Sequence, residues 1–212
     1  MVHRREVDGE AIVRGNHGAL WGNAMTWFDH ETGSVWTQPL GQAIAGPLQG
    51  TTLELVPSTL TTWGDWRQTH PDSLALDAPS SNIGFDLETM SIVVEIGADS
   101  LAVPVPSLRP TQIANVVVDD IPLAVVIEDG TDNWTVFTRQ LDDRVVELEV
   151  RDGNLAEIEG NGRWNLLMGL PLEGTGQTLS LLPGFTSFPS DYETFFPLGA
   201  FWQPDGPPVP VN

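Results

Sequence analysis

Short apolar runs broken every few residues by glycine, proline or an Asp-Gly pair dominate this chain. Val145-Val146-Glu147-Leu148-Glu149-Val150 alternates plainly, the mark of a strand with one buried and one wet face. The pattern predicts further strands at 51–56, 91–97, 101–105, 115–118, 122–128, 133–139 and 177–182. Residues 6–14 hold Asp8-Gly9, a strong hairpin signal, and 23–29 and 34–38 flank a second turn at Glu31-Thr32-Gly33. Helical signal is confined to a turn or two after Ser58, where Trp63 and Trp66 stand three apart, and again after Ser190. Each segment opens on a serine suited to N-capping and ends before a proline, Pro71 or Pro197. The expected fold is all-β with a few short helical turns.

A spacing pattern recurs along the chain. Trp36, Gly41 and Gly46 stand five residues apart, as do Trp164, Gly169 and Gly174. Each triplet leads into one phrase, Thr52-Leu53-x-Leu55-x-Pro57 and Thr178-Leu179-x-Leu181-x-Pro183. Such periodicity predicts two copies of one structural unit in one compact domain. The units run over 1–90 and 91–199, followed by a Pro-rich tail at 200–212. If Asp8-Gly9 aligns with Asp142-Asp143, the second unit has a strand-rich lead-in, from about 98 to 143, that the first lacks. The first unit is then either truncated or completed from elsewhere: by a partner strand, by a second copy of the chain, or by the tail.

Composition restricts the partners. All nine basic residues are arginine, set against 29 acidic ones, for a net charge of −20. Nucleic acid and anionic membrane surfaces are poor partners for such a chain, since both need clustered cations. An acidic, lysine-free surface also fits adaptation to high salt, where screening relieves self-repulsion, or a genome that prefers arginine codons. The absence of cysteine removes disulfides, thiol catalysis and cysteine-ligated metal centres. No apolar run is long enough for a membrane-spanning helix, and Met1-Val2-His3-Arg4-Arg5 lacks the apolar stretch of a signal peptide, so a soluble chain is expected.

Gly15-Asn16-His17-Gly18-Ala19-Leu20-Trp21, the run Met25 to Trp36 and Gly41-x-Ala43-Ile44-Ala45-Gly46-Pro47-Leu48-x-Gly50 resemble the bacterial and archaeal domain of unknown function 3179. Trp63 to Leu76, with its His70-Pro71-Asp72 ending, fits the same family. The match is strong over about 1–76 and looser across 98–198. The resemblance implies export from the cytoplasm and a preceding strand with a Cys-Pro-x-Cys-type motif; this chain has no cysteine. It implies no established activity.

The densest polar constellation is Asn16, His17, Asp29, His30 and Glu31, with Trp21 and Trp27 interleaved. If 11–17 and 24–30 pair as strands, His17 and His30 would approach across the ladder, and with Asp29 or Glu31 they would suit a divalent metal. Adjacent residues of one strand cannot all face one side, so a polar hairpin with a structural histidine is the competing reading. His70, before Pro71, reads as a helix-terminal residue, and His3 as part of an N-terminal tail. Trp21, Trp27, Trp63 and Trp66 are candidates for a ligand surface, sugars included, whereas Trp36 and Trp164 hold matched positions that fit core packing. The leading expectation is a non-catalytic binding or interaction module with no resident cofactor. The alternatives are a metal-binding protein or metalloenzyme using His17 and His30, and a carbohydrate-binding or glycoside-cleaving domain.

Overall fold

Strands carry the architecture of the computed structural model, which describes residues 1–75, 86–172 and 176–211. A small hairpin of β1 (Glu6–Val7) and β2 (Glu10–Ala11) leads into β3 (Arg14–Trp21), β4 (Ala24–Asp29), β5 (Val35–Thr37) and β6 (Ala43–Ala45), an antiparallel sheet in sequence order. Helix α1 (Trp63–Thr69) follows. Beyond it come β7 (Ser91–Ile96), β8 (Asp99–Pro104), the short α2 (Val105–Leu108), β9 (Ile113–Val118), β10 (Ile121–Ile127) and β11 (Trp134–Thr138). Strands β9 to β11 form one antiparallel meander. A second hairpin, β12 (Gln140–Leu141) with β13 (Arg144–Val145), precedes the sheet of β14 (Leu148–Arg151), β15 (Asn154–Glu157) and β16 (Arg163–Asn165). The chain ends with β17 (Phe185–Ser187), α3 (Pro189–Phe195), β18 (Ala200–Phe201) and β19 (Val209–Pro210). These three strands join β7 and β8 in the order β17-β7-β8-β18-β19.

The all-β expectation holds, with local differences that have physical causes. Residues 51–56 and 177–182 make only isolated bridges, at Gln42–Thr52, His3–Leu55 and Phe137–Leu181. The run 144–150 splits into β13 and β14, β13 pairing back on β12 and β14 pairing on β15, with Val146 and Glu147 between them. Helix α1 is capped by Thr62, not Ser58. Its Oγ1 accepts from Asp65 N at 3.1 Å and donates to Asp65 Oδ2 at 2.7 Å, an N-cap that places the hydroxyl three residues before the acid. Helix α3 starts one residue before Ser190, at Pro189, whose fixed φ suits the first turn. The tail from 200 onward is built into the sheet of β7 and β8, β18 running parallel to β8, and among the described residues it pairs with none of β1 to β6. Leu76, Gly174 and Thr175 lie outside the described residues.

The same hydrogen bonds occur in both halves at corresponding positions. Leu53 N donates to Gly41 O at 3.0 Å, and Leu179 N to Gly169 O at 2.9 Å. Arg4 N donates to Glu54 O at 2.8 Å, and Thr138 N to Ser180 O at 2.9 Å. Ile12 N donates to Arg5 O at 2.9 Å, and Val146 N to Arg139 O at 3.0 Å. Asp8 and Asp142 each take a left-handed turn, at φ 51° and 48°. By these bonds His3 stands to Leu55 as Phe137 stands to Leu181, and residues 1–5 occupy the station of β11.

What lies in front of that station differs. In the C-terminal half β10 pairs along β11, β9 pairs along β10, and Ile113, Ala124 and Val126 pack on Phe137, Leu148, Leu155 and Trp164. Among the described residues no strand pairs with the corresponding edge of residues 1–5. Arg139 shows the consequence. Its guanidinium is buried and donates to Leu123 O at 3.0 Å, Val146 O at 2.9 Å and Val116 O at 3.2 Å, while also pairing with Glu147. Its counterpart Arg5 is exposed. We therefore expect Arg139→Met to cost about 3 kcal/mol or more, because it strips charged donors from buried carbonyls. Arg5→Met should stay within about 0.5 kcal/mol. Urea unfolding of the two variants checks this, and similar losses for both would refute it.

Candidate ligand-binding cleft

The uncovered face of the N-terminal sheet forms an open cleft of about 420 Å³ lined by His3, Arg14, Gly15, Asn16, Met25 and Trp27. Strands β3 and β4 present all of these but His3, which bridges Leu55, with Arg14 paired to Asp29 and Asn16 to Trp27 across the ladder. Two glycines let the backbone come close. A Cβ at Gly15 would stand 2.6 Å from the Phe28 ring, and one at Gly41 would stand 2.6 Å from His3 Nδ1. Gly41 also has φ 57°, which disfavours any side chain there.

Beneath the cleft Trp36 is fully buried, and its indole N–H donates to Asp29 Oδ2 at 2.8 Å. Asp29 Oδ1 accepts from Thr32 N at 2.6 Å and from Thr32 Oγ1 at 2.8 Å. Burial alone would raise the Asp29 pKa, but the bonds from Trp36, Thr32 and Gly33 outweigh it and hold the carboxyl below its usual range. The Arg14 guanidinium lies over the Trp36 ring, 5.2 Å from its centroid. Burial depresses its pKa, opposed by the charges of Asp29 and Glu31, yet an arginine stays protonated. Among the described residues Arg14 Nε and Nη2 are buried without a hydrogen-bond acceptor, and no carboxylate lies within ion-pair distance of this side chain.

His3 Nε2 lies 3.0 Å from Gln38 O, so it carries the proton and donates, while Nδ1 faces Gly41 with no partner. Burial lowers the imidazole pKa, the bond to Gln38 opposes this, and the Arg14 charge adds to the lowering. The ring meets Trp27 edge-on at 6.0 Å.

The cleft residues and the neighbouring Gln38 contrast with the corresponding face of the other half. His3, Arg14, Asn16 and Gln38 stand where Phe137, Leu148, Val150 and Leu166 stand under β9 and β10. The layer beneath keeps its apolar character: Val7, Ile12, Trp36 and Leu53 answer to Leu141, Val146, Trp164 and Leu179. Polarity changes only where cover is missing.

The residues singled out in the sequence are spread over several stations. His17 Nδ1 lies 3.1 Å from Thr26 Oγ1, next to the bulge of β3. The His30 ring lies tilted against Phe28, centroids 4.8 Å apart, and the His30 backbone N–H donates to Val13 O. This register sets the two histidines four positions apart along the hairpin, roughly 13 Å at about 3.3 Å per residue. They are therefore not cross-strand neighbours. Glu31 accepts from Val13 N at 3.1 Å through both oxygens, and Asp29 is engaged as above. Among the described residues no group of three or more His, Cys, Asp or Glu is gathered as a metal-ligand set.

Trp27 lies in the cleft, while Trp21 packs on Phe195 at 5.4 Å. Trp63 and Trp66 stand half-exposed on α1, where Arg67 lies over Trp63 and His70, the C-cap residue, stacks on Trp66 at 3.8 Å. Sequence reasoning passed over His3, Arg14 and Met25. The signal was present: aligning the halves at Asp8 and Asp142 sets Arg14 against Leu148 and His3 against Phe137, polar residues at core-facing positions.

Residues 1–83 match the family model described as a protein of unknown function (DUF3179). No curated protein and no solved structure matches the chain. No helix among the described residues is long and apolar enough to cross a membrane.

Two outcomes test the cleft's structural base. Asp29→Asn should cost about 1.5–3 kcal/mol near neutral pH, the worth of a hydrogen bond to a charged group. Because the folded carboxyl titrates below its ordinary value of 3.8, this stability exists above that value and is lost as pH falls through the lower, folded one. The gap between variant and wild type in urea melts should close over that range. His3 works at higher pH. Its folded pKa is below the ordinary 6.5, so the unfolded chain takes up a proton first and stability declines as pH drops from about 6.5. His3→Phe, carrying the ring found at 137, should remove that decline.

Proposed function

We propose that the chain, whose residues 1–83 match the DUF3179 family model of unknown function, is a binding module whose ligand occupies the His3, Arg14, Asn16 and Trp27 cleft. The reading takes the recurrent hydrogen bonds as two copies of one unit. One copy is closed by β9 and β10, and the other is left open for a ligand. The observation that carries it is the exchange of Phe137, Leu148, Val150 and Leu166 for His3, Arg14, Asn16 and Gln38 on the open face. Burying a leucine or phenylalanine under a covering strand gains roughly 1.5–3 kcal/mol, which an uncovered face forfeits. Loss of cover alone explains a polar surface. It does not explain a recess with an aromatic wall and an arginine with no acceptor, which suit a ligand that is part apolar and part polar. The acidic surface fits a protein working in high salt, and export from the cytoplasm follows the family resemblance.

No observation favours the metal or sugar readings over this one. A mixed pool of small probes (acetate, acetamide, isopropanol and phenol) added to the nitrogen-15-labelled chain should shift the Gly15, Asn16 and Met25 amides and the Trp27 indole most. Shifts gathered instead on Trp63 and Trp66 of α1 would move the site to that helix. Shifts at His17 and His30 on adding zinc would revive the metal reading.

A further inference from the structure

The cleft's polar groups differ in kind as well as in number. Its donors are the Arg14 guanidinium and the Asn16 side-chain NH₂; the Asn16 Oδ1 is taken by Gly18 N at 2.8 Å. Most lone pairs nearby are engaged: Gln38 O accepts from His3, Asp29 from Trp36 and Thr32, and Glu31 from Val13, while the free lone pair of His3 Nδ1 is buried against Gly41. A recess that offers donors and few free acceptors selects a ligand that accepts. Arg14 is the dominant donor. Six of the nine arginines pair with a carboxylate among the described residues, and Arg14 does not. It is held in place by the Trp36 ring, which is itself fixed by Asp29, so its position is set before any ligand arrives.

We propose, building on the ligand-cleft reading, that the cleft takes a monocarboxylate carried on an apolar or aromatic body. The carboxylate lies against the cleft side of Arg14 within reach of Asn16, and the body lies along Trp27 and Met25. A single negative charge fits better than a phosphate dianion, because the charges of Asp29 and Glu31 already act on Arg14 and repel a second one. Guanidinium and carboxylate match as planar partners, which makes arginine the suitable residue here.

The test uses the full chain, labelled with nitrogen-15, and three probes of equal size: phenylacetate, phenylacetamide and phenethylamine. Phenylacetate should shift the Gly15 and Asn16 amides and the Trp27 indole, and should bind at least about tenfold more tightly than the amide. Arg14→Leu carries the residue found at 148, so it should stay folded, and it should weaken phenylacetate at least about tenfold while leaving the amide unchanged. Arg14→Lys should recover part of that loss. Equal binding of phenylacetate and phenylacetamide, or unchanged phenylacetate binding in Arg14→Leu, overturns the carboxylate inference and leaves the cleft standing. No shift from any probe overturns both.

Discussion

An apolar sheet face has to be covered, and that requirement organises both halves of this protein. In the C-terminal half β9 and β10 bring Ile113, Ala124 and Val126 onto Phe137, Leu148 and Leu155, and all three of the covered side chains are buried completely or nearly so. Arg139 fastens that cover by donating to carbonyls of β9 and β10. In the N-terminal half the same station is open among the described residues, and the side chains that would face the cover are His3, Arg14 and Asn16. The polarity of that face follows from the missing layer, whereas the recess with its Trp27 wall and the Arg14 guanidinium without a carboxylate partner among the described residues do not.

The cleft stands on a buried base that is independent of cover. Trp36, Asp29 and Thr32 form a closed set: indole N–H to carboxylate, carboxylate to backbone and hydroxyl. A buried carboxylate is costly unless its lone pairs are filled, and here both oxygens are engaged. The C-terminal half solves the corresponding problem differently. There the Trp164 indole donates to Gln177 O at 2.7 Å, and the buried Glu157 pairs with Arg144. The two tryptophans occupy matched places with different electrostatic surroundings, and only in the N-terminal half does an arginine lie over the ring.

Much of the fold was legible in the sequence because it rests on local signals. Asp8-Gly9 marked its hairpin, the strand patterns over 122–128 and 133–139 marked β10 and β11, and the spacing of tryptophan, glycine and proline placed Trp36 and Trp164 in the core. The start of α1 was misjudged by a few residues because the hydroxyl residues Ser58, Thr59, Thr61 and Thr62 all stand before it, and only Thr62 has an acid three residues on. The site was harder to see. Histidines and carboxylates drew attention to 16–31, yet the register of β3 on β4 spreads His17 and His30 apart, and Asp29 and Glu31 serve the backbone. Arg14 and His3 were inconspicuous as residues. They stand out only against their apolar counterparts, a comparison that requires knowing which face of the sheet is buried.

Amide hydrogen exchange at His3 and Phe137 tests the central claim most directly. Each residue forms a bridge on one side, to Leu55 or Leu181, so its own N–H points to the other side, toward the station of β10. The account predicts strong protection at Phe137, whose N–H faces β10, and exchange close to the unprotected rate at His3, whose N–H faces the cleft. Comparable protection at the two amides would mean that the N-terminal face is covered after all, and would contradict the account.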